Sequence, residues 1–289
     1  MGLELTLGSR SFRGLSVKNL SYFLSHAFDL GICKIDCAPT YGDVEKLIGK
    51  AMLKSNLTDK FKISSKIMRD PNKISWESTN KSIRKSLSNL KIENLETLYF
   101  HGTDVNLLHD EIFEKLEKTS REGFFLNLGF AGDNRELEGA LLYRQITHFL
   151  VTLNIVDQNN MEKISTDRIF VGKRILANHF WKLPGKDLHL NRKQLRSYEI
   201  FEKVKVYEER GKTLGMESRL HDSEKTRENF IRFAAFSPGL SGVVIGSSKL
   251  QNLKSCLQHL EKGPLSPEEY LFFREIWVKN SAPDWATIV

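Results

Sequence analysis

Four side chains able to share one proton-transfer task stand at matched places in this 289-residue sequence. Asp36 closes the strand-like run Ile32-Cys33-Lys34-Ile35-Asp36, Lys66 closes Phe61-Lys62-Ile63-Ser64-Ser65-Lys66, and His101 closes Leu95-Glu96-Thr97-Leu98-Tyr99-Phe100-His101. Tyr41 follows Asp36 on a loop broken by Pro39 and Gly42. A phenol acts as a general acid when a neighbouring ammonium stabilises its phenolate; the ammonium needs a carboxylate to hold it, and an imidazole can orient the substrate oxygen. Taken singly, each has an ordinary reading: a turn cap for Asp36, a snorkelling stem for Lys66, a hydrogen-bonded core residue for His101, loop packing for Tyr41. Their joint position at the carboxyl ends of three successive strands points to chemistry, because barrels and open α/β sheets bind ligands there.

The elements that must carry them alternate. Leu3–Leu7 reads as a first strand ending at Gly8, and Ser16 is placed to cap a helix over residues 17–30, with Leu20, Phe23, Leu24 and Phe28 on one face. In the second strand Lys34 and Asp36 share one face while Cys33, Ile35 and Cys37 share the other. Helices follow at 44–54 and 76–90, then a helix from Asp110 to Gly123, a fifth strand over 124–131 and a helix over 135–143. Strand six is read at 148–154, a short helical piece at 161–165, strand seven at 168–175, a long loop at 179–191, helices at 194–210 and 227–236, an apolar eighth strand at 239–247 and a helix at 250–260. Eight strands, each followed by helical material, predict an α/β fold of one domain, a (β/α)8 TIM barrel over residues 1–289. The tail 264–289 is expected to pack outside the barrel.

Composition narrows the function classes. Lys+Arg 43 against Asp+Glu 36 gives a net charge of +7, which suits an anionic ligand but equally a solvated lysine-rich surface, so nucleic-acid binding has little behind it. Three cysteines, Cys33, Cys37 and Cys256, lack metal-ligand spacing and suit a reducing, cytoplasmic setting. No apolar run reaches bilayer length, and no signal segment opens the chain. The eight histidines show no paired ligand spacing, so no metal is expected. There is no G-x-G-x-x-G, no G-x-S-x-G elbow, and the stretch Gly42–Lys50 fails as a phosphate loop because Val44 takes a required glycine position.

The segment from Asp36-Cys37-Ala38-Pro39-Thr40-Tyr41-Gly42 through Glu45 and Gly49 resembles the strand-two signature of the aldo-keto reductase family. Ser64-Ser65-Lys66 is similar to the family's lysine strand, Leu98-Tyr99-Phe100-His101-Gly102 to its histidine strand, and Gly239 to Ser248 to its cofactor segment. The resemblance implies a barrel oxidoreductase that uses NADPH, with NADH less favoured, to reduce a small-molecule carbonyl substrate. It implies Tyr41 as proton donor, Lys66 lowering its pKa, Asp36 pairing with Lys66, and His101 holding the carbonyl. It also implies cofactor contacts from Gly246, Ser247, Ser248 and Lys249, with Asn252 facing the adenosine. A phosphate at the start of the helix after strand eight suits free N–H groups and the positive dipole end, although Ser247 or Ser248 could simply cap that helix.

Several positions depart from the family pattern. Ala131-Gly132 and Leu150 stand where side chains that bind the nicotinamide amide are usual, Lys173 or Arg174 where an aromatic stacks, and Ser255-Cys256 where adenine contacts are common. Lys173 and Arg174 would contact cofactor or an anionic substrate, or cap a strand end. The missing amide anchors motivate an alternative, a cofactor-binding regulatory barrel with little turnover. Substrate specificity is expected from the loop carrying Phe180, Trp181 and Lys182 and from the tail around Trp285.

Overall fold

The structure, a computed structural model, describes residues 3–67, 74–182, 195–216 and 223–288. Eight parallel strands close into a barrel in sequence order: β1 Glu4–Gly8, β2 Lys34–Asp36, β3 Lys62–Lys66, β4 Leu95–His101, β5 Phe125–Ala131, β6 His148–Thr152, β7 Ile169–Lys173 and β8 Leu240–Ile245. Closure is direct, with Glu4 to Leu7 of β1 registered against Gly242 to Ile245 of β8. The (β/α)8 TIM barrel expected from the alternating pattern is therefore the fold.

Helices α1 Val17–Asp29, α2 Val44–Lys54, α3 Trp76–Leu90, α4 Asp110–Arg121 and α5 Asn134–Ala140 return the chain across the first half. Ser16 caps α1 by accepting from the Asn19 N–H, and Ser75 caps α3 through the Ser78 N–H, which satisfies amides that the helix cannot. Their inward faces bury Leu20, Leu24, Ile48, Ile83, Leu90, Ile112 and Leu116 against the outer faces of the strands, where Ile35, Ile63, Leu98 and Phe100 point. Period-two alternation then leaves Lys34, Asp36, Ser64 and Lys66 facing the barrel's interior.

Helices α6 Leu195–Thr213 and α7 Ser223–Ala235 both lie between β7 and β8, while α8 Leu250–Glu261 and α9 Pro267–Asn280 complete the chain. The expected loop through Asn191 and the helix start at Gln194 fall, over 183–194, outside the described residues. The connection after β6 carries the short helical piece expected at 161–165 as a 3-10 turn, Met161–Lys163, with turns on its amino-terminal side. Side chains substitute for helical hydrogen bonds there. Asn154 Oδ1 accepts from the Val156 N–H, Gln158 Nε2 donates to the Ile155 carbonyl, and Asn160 Nδ2 donates to the Thr152 carbonyl. Such side-chain to backbone bonding offers the chain an alternative to a helix.

A second apolar cluster sits beyond the barrel's carboxyl rim, where Phe180, Tyr207, Phe230, Phe233, Phe273 and Trp277 bring α6, α7 and α9 together. The last residues are pinned to that rim. Asn134 Nδ2 donates to the Thr287 carbonyl at 3.1 Å and Asn134 Oδ1 accepts from the Thr287 N–H at 2.7 Å. The Ile288 N–H donates to Asp157 Oδ2 at 3.0 Å, Arg174 donates to the Ile288 carbonyl, and Arg210 donates to the Ala286 carbonyl while its guanidinium lies 4.8 Å over the Trp285 ring.

Burial pushes the Asp157 carboxyl up to about 6, against the opposing pull of Arg210 and of the Ile288 N–H. Between the ordinary value of 3.8 and about 6 the native protein thus holds a proton that the unfolded chain has released. Stability contributed by this group accordingly falls as pH rises through that window. Asp157→Asn keeps an acceptor for Ile288 and is expected to flatten the stability profile there; urea unfolding across the window with an unchanged slope would count against it.

Two chambers share the barrel's axis. The lower one, about 600 Å³, opens at the amino-terminal ends of the strands and is lined by Glu4, Thr6, Lys34, Ser64, Thr97 and His148 among others. Lys34 and Glu4 pair across it at 2.5 Å. The upper one, about 660 Å³, opens at the carboxyl rim. Asp36, Leu150 and Val244 line both and so form the partition. Among the described residues no helix is long and apolar enough to cross a membrane, and no cluster of His, Cys, Asp and Glu could hold a metal ion.

Candidate active site

The upper chamber collects Asp36, Tyr41, Lys66 and His101 on one wall and Lys173, Arg174 and Gly246 on the other. Asp36 and Lys66 end adjacent strands, and their interior-facing side chains meet: Lys66 Nζ donates to Asp36 Oδ1 at 2.5 Å and to the Cys37 carbonyl at 2.8 Å. Both are buried, with Lys66 only 3% exposed. An ammonium so withdrawn from water persists because the carboxylate and carbonyl replace its hydration. Burial alone would depress the Lys66 pKa, but the Asp36 carboxylate and the Tyr41 phenol outweigh it and the net direction is upward.

Tyr41 ends a 3-10 turn, Pro39–Tyr41, entered from the extended Ala38 and left through Gly42 at φ 74, a left-handed conformation that glycine adopts without strain. Arg13, from the loop after β1, fixes this turn by donating to the Tyr41 carbonyl at 3.0 Å and the Thr40 carbonyl at 2.9 Å. Lys66 Nζ then lies 5.6 Å from the centroid of the Tyr41 ring and 5.9 Å from that of Tyr99. Lys66 draws the phenol's pKa down, as the resemblance implied, yet burial and the Asp36 carboxylate push it up and prevail. Tyr41 is accordingly held protonated at neutral pH, the form a proton donor needs. His101, at the end of β4, lines the same wall.

Two signature residues outside the cleft shape it from behind. Glu45, 2% exposed, accepts from Ser65 Oγ at 2.8 Å and from Asn89 Nδ2 at 3.1 Å, tying α2 to α3 and to the strand residue preceding Lys66. A Cβ on Gly49 would lie 2.3 Å from the Asn89 carbonyl oxygen, so only glycine lets these two helices approach so closely.

The opposite wall holds a second ion pair that sequence reasoning missed. Asp133, fully buried at its side chain, sits just past β5, 2.6 Å from Lys173 Nζ at the end of β7. Asp133 also accepts from the Thr152 N–H, the Thr152 hydroxyl and Asn160 Nδ2. Burial opposes ionisation of Asp133, but Lys173 and these donors hold its carboxyl below the ordinary value of 3.8. Its only sequence signal was position, directly after Gly132 at a strand end.

The remaining expected residues divide. Gly246 lines the chamber, and a Cβ there would meet nothing closer than the Gly8 carbonyl oxygen at 4.0 Å. Ser247, Ser248, Lys249 and Asn252 lie on the segment leading into and starting α8, with Lys249 and Asn252 exposed. Ser247 Oγ accepts from the Lys249 N–H at 3.1 Å, while Lys249, the residue at the cap position, makes no side-chain cap. The start of α8 therefore keeps amides for an anion. Ser255 donates to Glu224 and Cys256 is buried, its thiol pushed up to about 12 by burial. Phe180 and Trp181 turn into the rim cluster, the Trp181 ring lying tilted at 4.8 Å from that of Phe230, and the cleft there is walled by Leu176, Asn178 and His179. Trp285 likewise packs on Trp277 at 5.6 Å.

The profile of the aldo/keto reductase family matches residues 4–160, more than half of the chain. This chain belongs to the aldo-keto reductase family. Membership makes it an NAD(P)H-dependent oxidoreductase acting on small-molecule carbonyl compounds, and it does not favour the regulatory-barrel reading. Solved structures agree in fold: an aldo-keto reductase from Bacillus halodurans in its holo form has a TM-score of 0.73 at 19% identity, covering 94% of this chain and 91% of that one. A thermostable aldo-keto reductase in complex with the inhibitor epalrestat gives 0.69 at 19% identity, covering 94% of each chain. A putative aldo-keto reductase from Pseudomonas aeruginosa gives 0.64 at 21% identity over 89% and 90%. No curated protein matches the chain.

The cleft suits a nicotinamide dinucleotide. Besides the paired Lys66–Asp36 and Lys173–Asp133, three arginines, Arg10, Arg13 and Arg174, line it, which suits a polyanion. Open space over Gly246 and the uncapped α8 start adjoin that cationic wall.

Proposed function

We propose that this aldo-keto reductase reduces an aldehyde or ketone to the alcohol with NADPH, and that Tyr41 is its general acid. The observation carrying the reading is the phenol of Tyr41 beside a buried ammonium that is itself fixed by Asp36 at 2.5 Å. When bound, the cofactor supplies a hydride from C4 of its nicotinamide to the carbonyl carbon. As negative charge develops on the carbonyl oxygen, Tyr41 passes its hydroxyl proton to that oxygen. Lys66 stabilises the phenolate left behind, and Asp36 keeps Lys66 charged and in place. His101 orients the same oxygen from the neighbouring strand. Titration with NADPH and NADH, followed by a panel of aldehydes and ketones, tests binding and turnover separately. Tight NADPH binding without turnover of any carbonyl would overturn the catalytic assignment.

Preference for NADPH over NADH rests on Lys249, Ser248 and the free amides at the start of α8, which supply donors for a 2′-phosphate. NADPH is expected to bind roughly tenfold or more tightly than NADH, the scale of one charge-assisted hydrogen bond. Lys249→Ala should narrow that ratio while leaving NADH affinity near its starting value. Equal affinities for the two cofactors in the unmodified protein would remove the assignment.

A further inference from the structure

We infer that Lys173, positioned by Asp133, is the cleft's anchor for the carboxamide oxygen of the nicotinamide, an inference that rests on the dinucleotide reading above. The carboxyl ends of β5 and β6 present Ala131, Gly132 and Leu150 to the cleft, so no side-chain amide is available there. A carboxamide buried against such a wall without a partner would be costly. Lys173 pairs with Thr152 across the β6–β7 register, one pleat above the Leu150–Val171 pair, which sets its ammonium over the apolar patch.

The ammonium is aimed rather than mobile. Asp133 Oδ1 accepts from the Thr152 N–H and Asn160 Nδ2, both at 2.8 Å, and Oδ2 accepts from the Thr152 hydroxyl at 3.1 Å as well as from Lys173 at 2.6 Å. A carboxylate engaged at both oxygens cannot swing, and it fixes the cation that it holds. Of the ammonium's three N–H bonds, one goes to Asp133, and no further acceptor engages Lys173 among the described residues. Burial, with Arg174 and Lys66, carries the Lys173 pKa below its ordinary value against the pull of Asp133, and the 2.6 Å contact with that carboxylate is what holds the donor in place.

Lysine donates only, whereas a carboxamide side chain both donates and accepts. The anchor therefore recognises the carbonyl oxygen of the nicotinamide substituent and is indifferent to its NH2 group. The acetylpyridine analogue of NADP⁺, which keeps the carbonyl and replaces NH2 by methyl, should bind within about twofold of NADP⁺, because no bond to the protein is lost.

The decisive experiment is calorimetric binding of NADP⁺, its acetylpyridine analogue and 2′-phospho-ADP-ribose, which lacks the nicotinamide, to the full chain and to Lys173→Met and Asp133→Asn. Lys173→Met should weaken NADP⁺ and the analogue by roughly ten- to a hundredfold, the loss of one hydrogen bond from a charged donor, and leave 2′-phospho-ADP-ribose unchanged. Asp133→Asn should shift the same two ligands in the same direction, by less. Undiminished NADP⁺ binding in Lys173→Met, or an equal loss for 2′-phospho-ADP-ribose, overturns the inference. The same holds for strong discrimination between NADP⁺ and the analogue in the unmodified protein. Failure of all three ligands to bind the unmodified protein would instead defeat the dinucleotide reading. Should Asp133→Asn not fold, the Lys173→Met comparison decides alone.

Discussion

Tyr41→Phe is expected to reduce carbonyl turnover by roughly 10²–10⁴-fold, the usual loss when a positioned acid is removed, with NADPH affinity nearly unchanged. The substitution deletes one hydroxyl and keeps the ring, which is half-buried and packs against the core, so the barrel should be undisturbed. Because burial and Asp36 carry the phenol above its ordinary 10.0, reduction in the unmodified protein should be flat through neutral pH and decline only on the alkaline side of that value, as Tyr41 ionises. The phenylalanine variant should lack that alkaline limb. Full activity in Tyr41→Phe on a substrate the unmodified protein turns over would end the mechanism proposed for this cleft.

Lys66→Met carries the second large effect, and on two observables. Turnover should fall because the phenolate loses its neighbouring charge, and the alkaline limb should move further up, since Lys66 is what draws Tyr41 down. Stability should fall as well. Asp36, with its side chain only 9% exposed, loses the partner 2.5 Å away, and stranding one member of a buried pair costs about 3–5 kcal/mol. Asp36→Asn combined with Lys66→Met removes the stranded charge and should recover most of the stability with none of the activity. Recovery of both would mean that the pair acts as a brace alone; unchanged stability in Lys66→Met would mean that the two charges are solvated independently of each other.

The barrel was legible in the sequence because its strands and helices obey different periods. Lys34, Ile35 and Asp36 alternate between interior and shell, and Leu20, Phe23 and Leu24 repeat along one helical face. The wall carrying Asp36, Tyr41, Lys66 and His101 was legible for a simpler reason: each lies at or just after a strand end, and a closed barrel brings all such ends to one rim. What escaped depends on contacts between distant segments. Asp133 lies 40 residues from Lys173, and nothing local marks their meeting. The expectation that the loop of Phe180, Trp181 and Lys182 and the tail around Trp285 shape substrate specificity rested on their rim position, whereas the packing of Phe180, Trp181 and Trp285 with residues of α6, α7 and α9 depends on segments distant in sequence. The short helical piece after β6 was legible, but the bonds that Asn154, Gln158 and Asn160 make to the backbone around it were not, since the sequence pattern does not distinguish such residues from ordinary loop polarity.

Asp36 has a second exposure, downward. Barrels of this kind usually fill their axis with layers of branched apolar side chains. Here the lower strand ends carry Thr6, Ser64 and Thr97 around about 600 Å³ of space, and the carboxylate forms part of its roof. For a protein engineer that space is spare volume. Larger or less polar side chains at Ser64 or Thr97 can grow into it without the overpacking that meets any addition to a tight core. Because the same carboxylate faces the cleft above, altering the lining below changes how water reaches Asp36 and how firmly it grips Lys66, with no substituent placed where substrate binds. The wall proposed to be catalytic thus has a tuning surface on its far side, reached from the end of the barrel opposite the upper chamber.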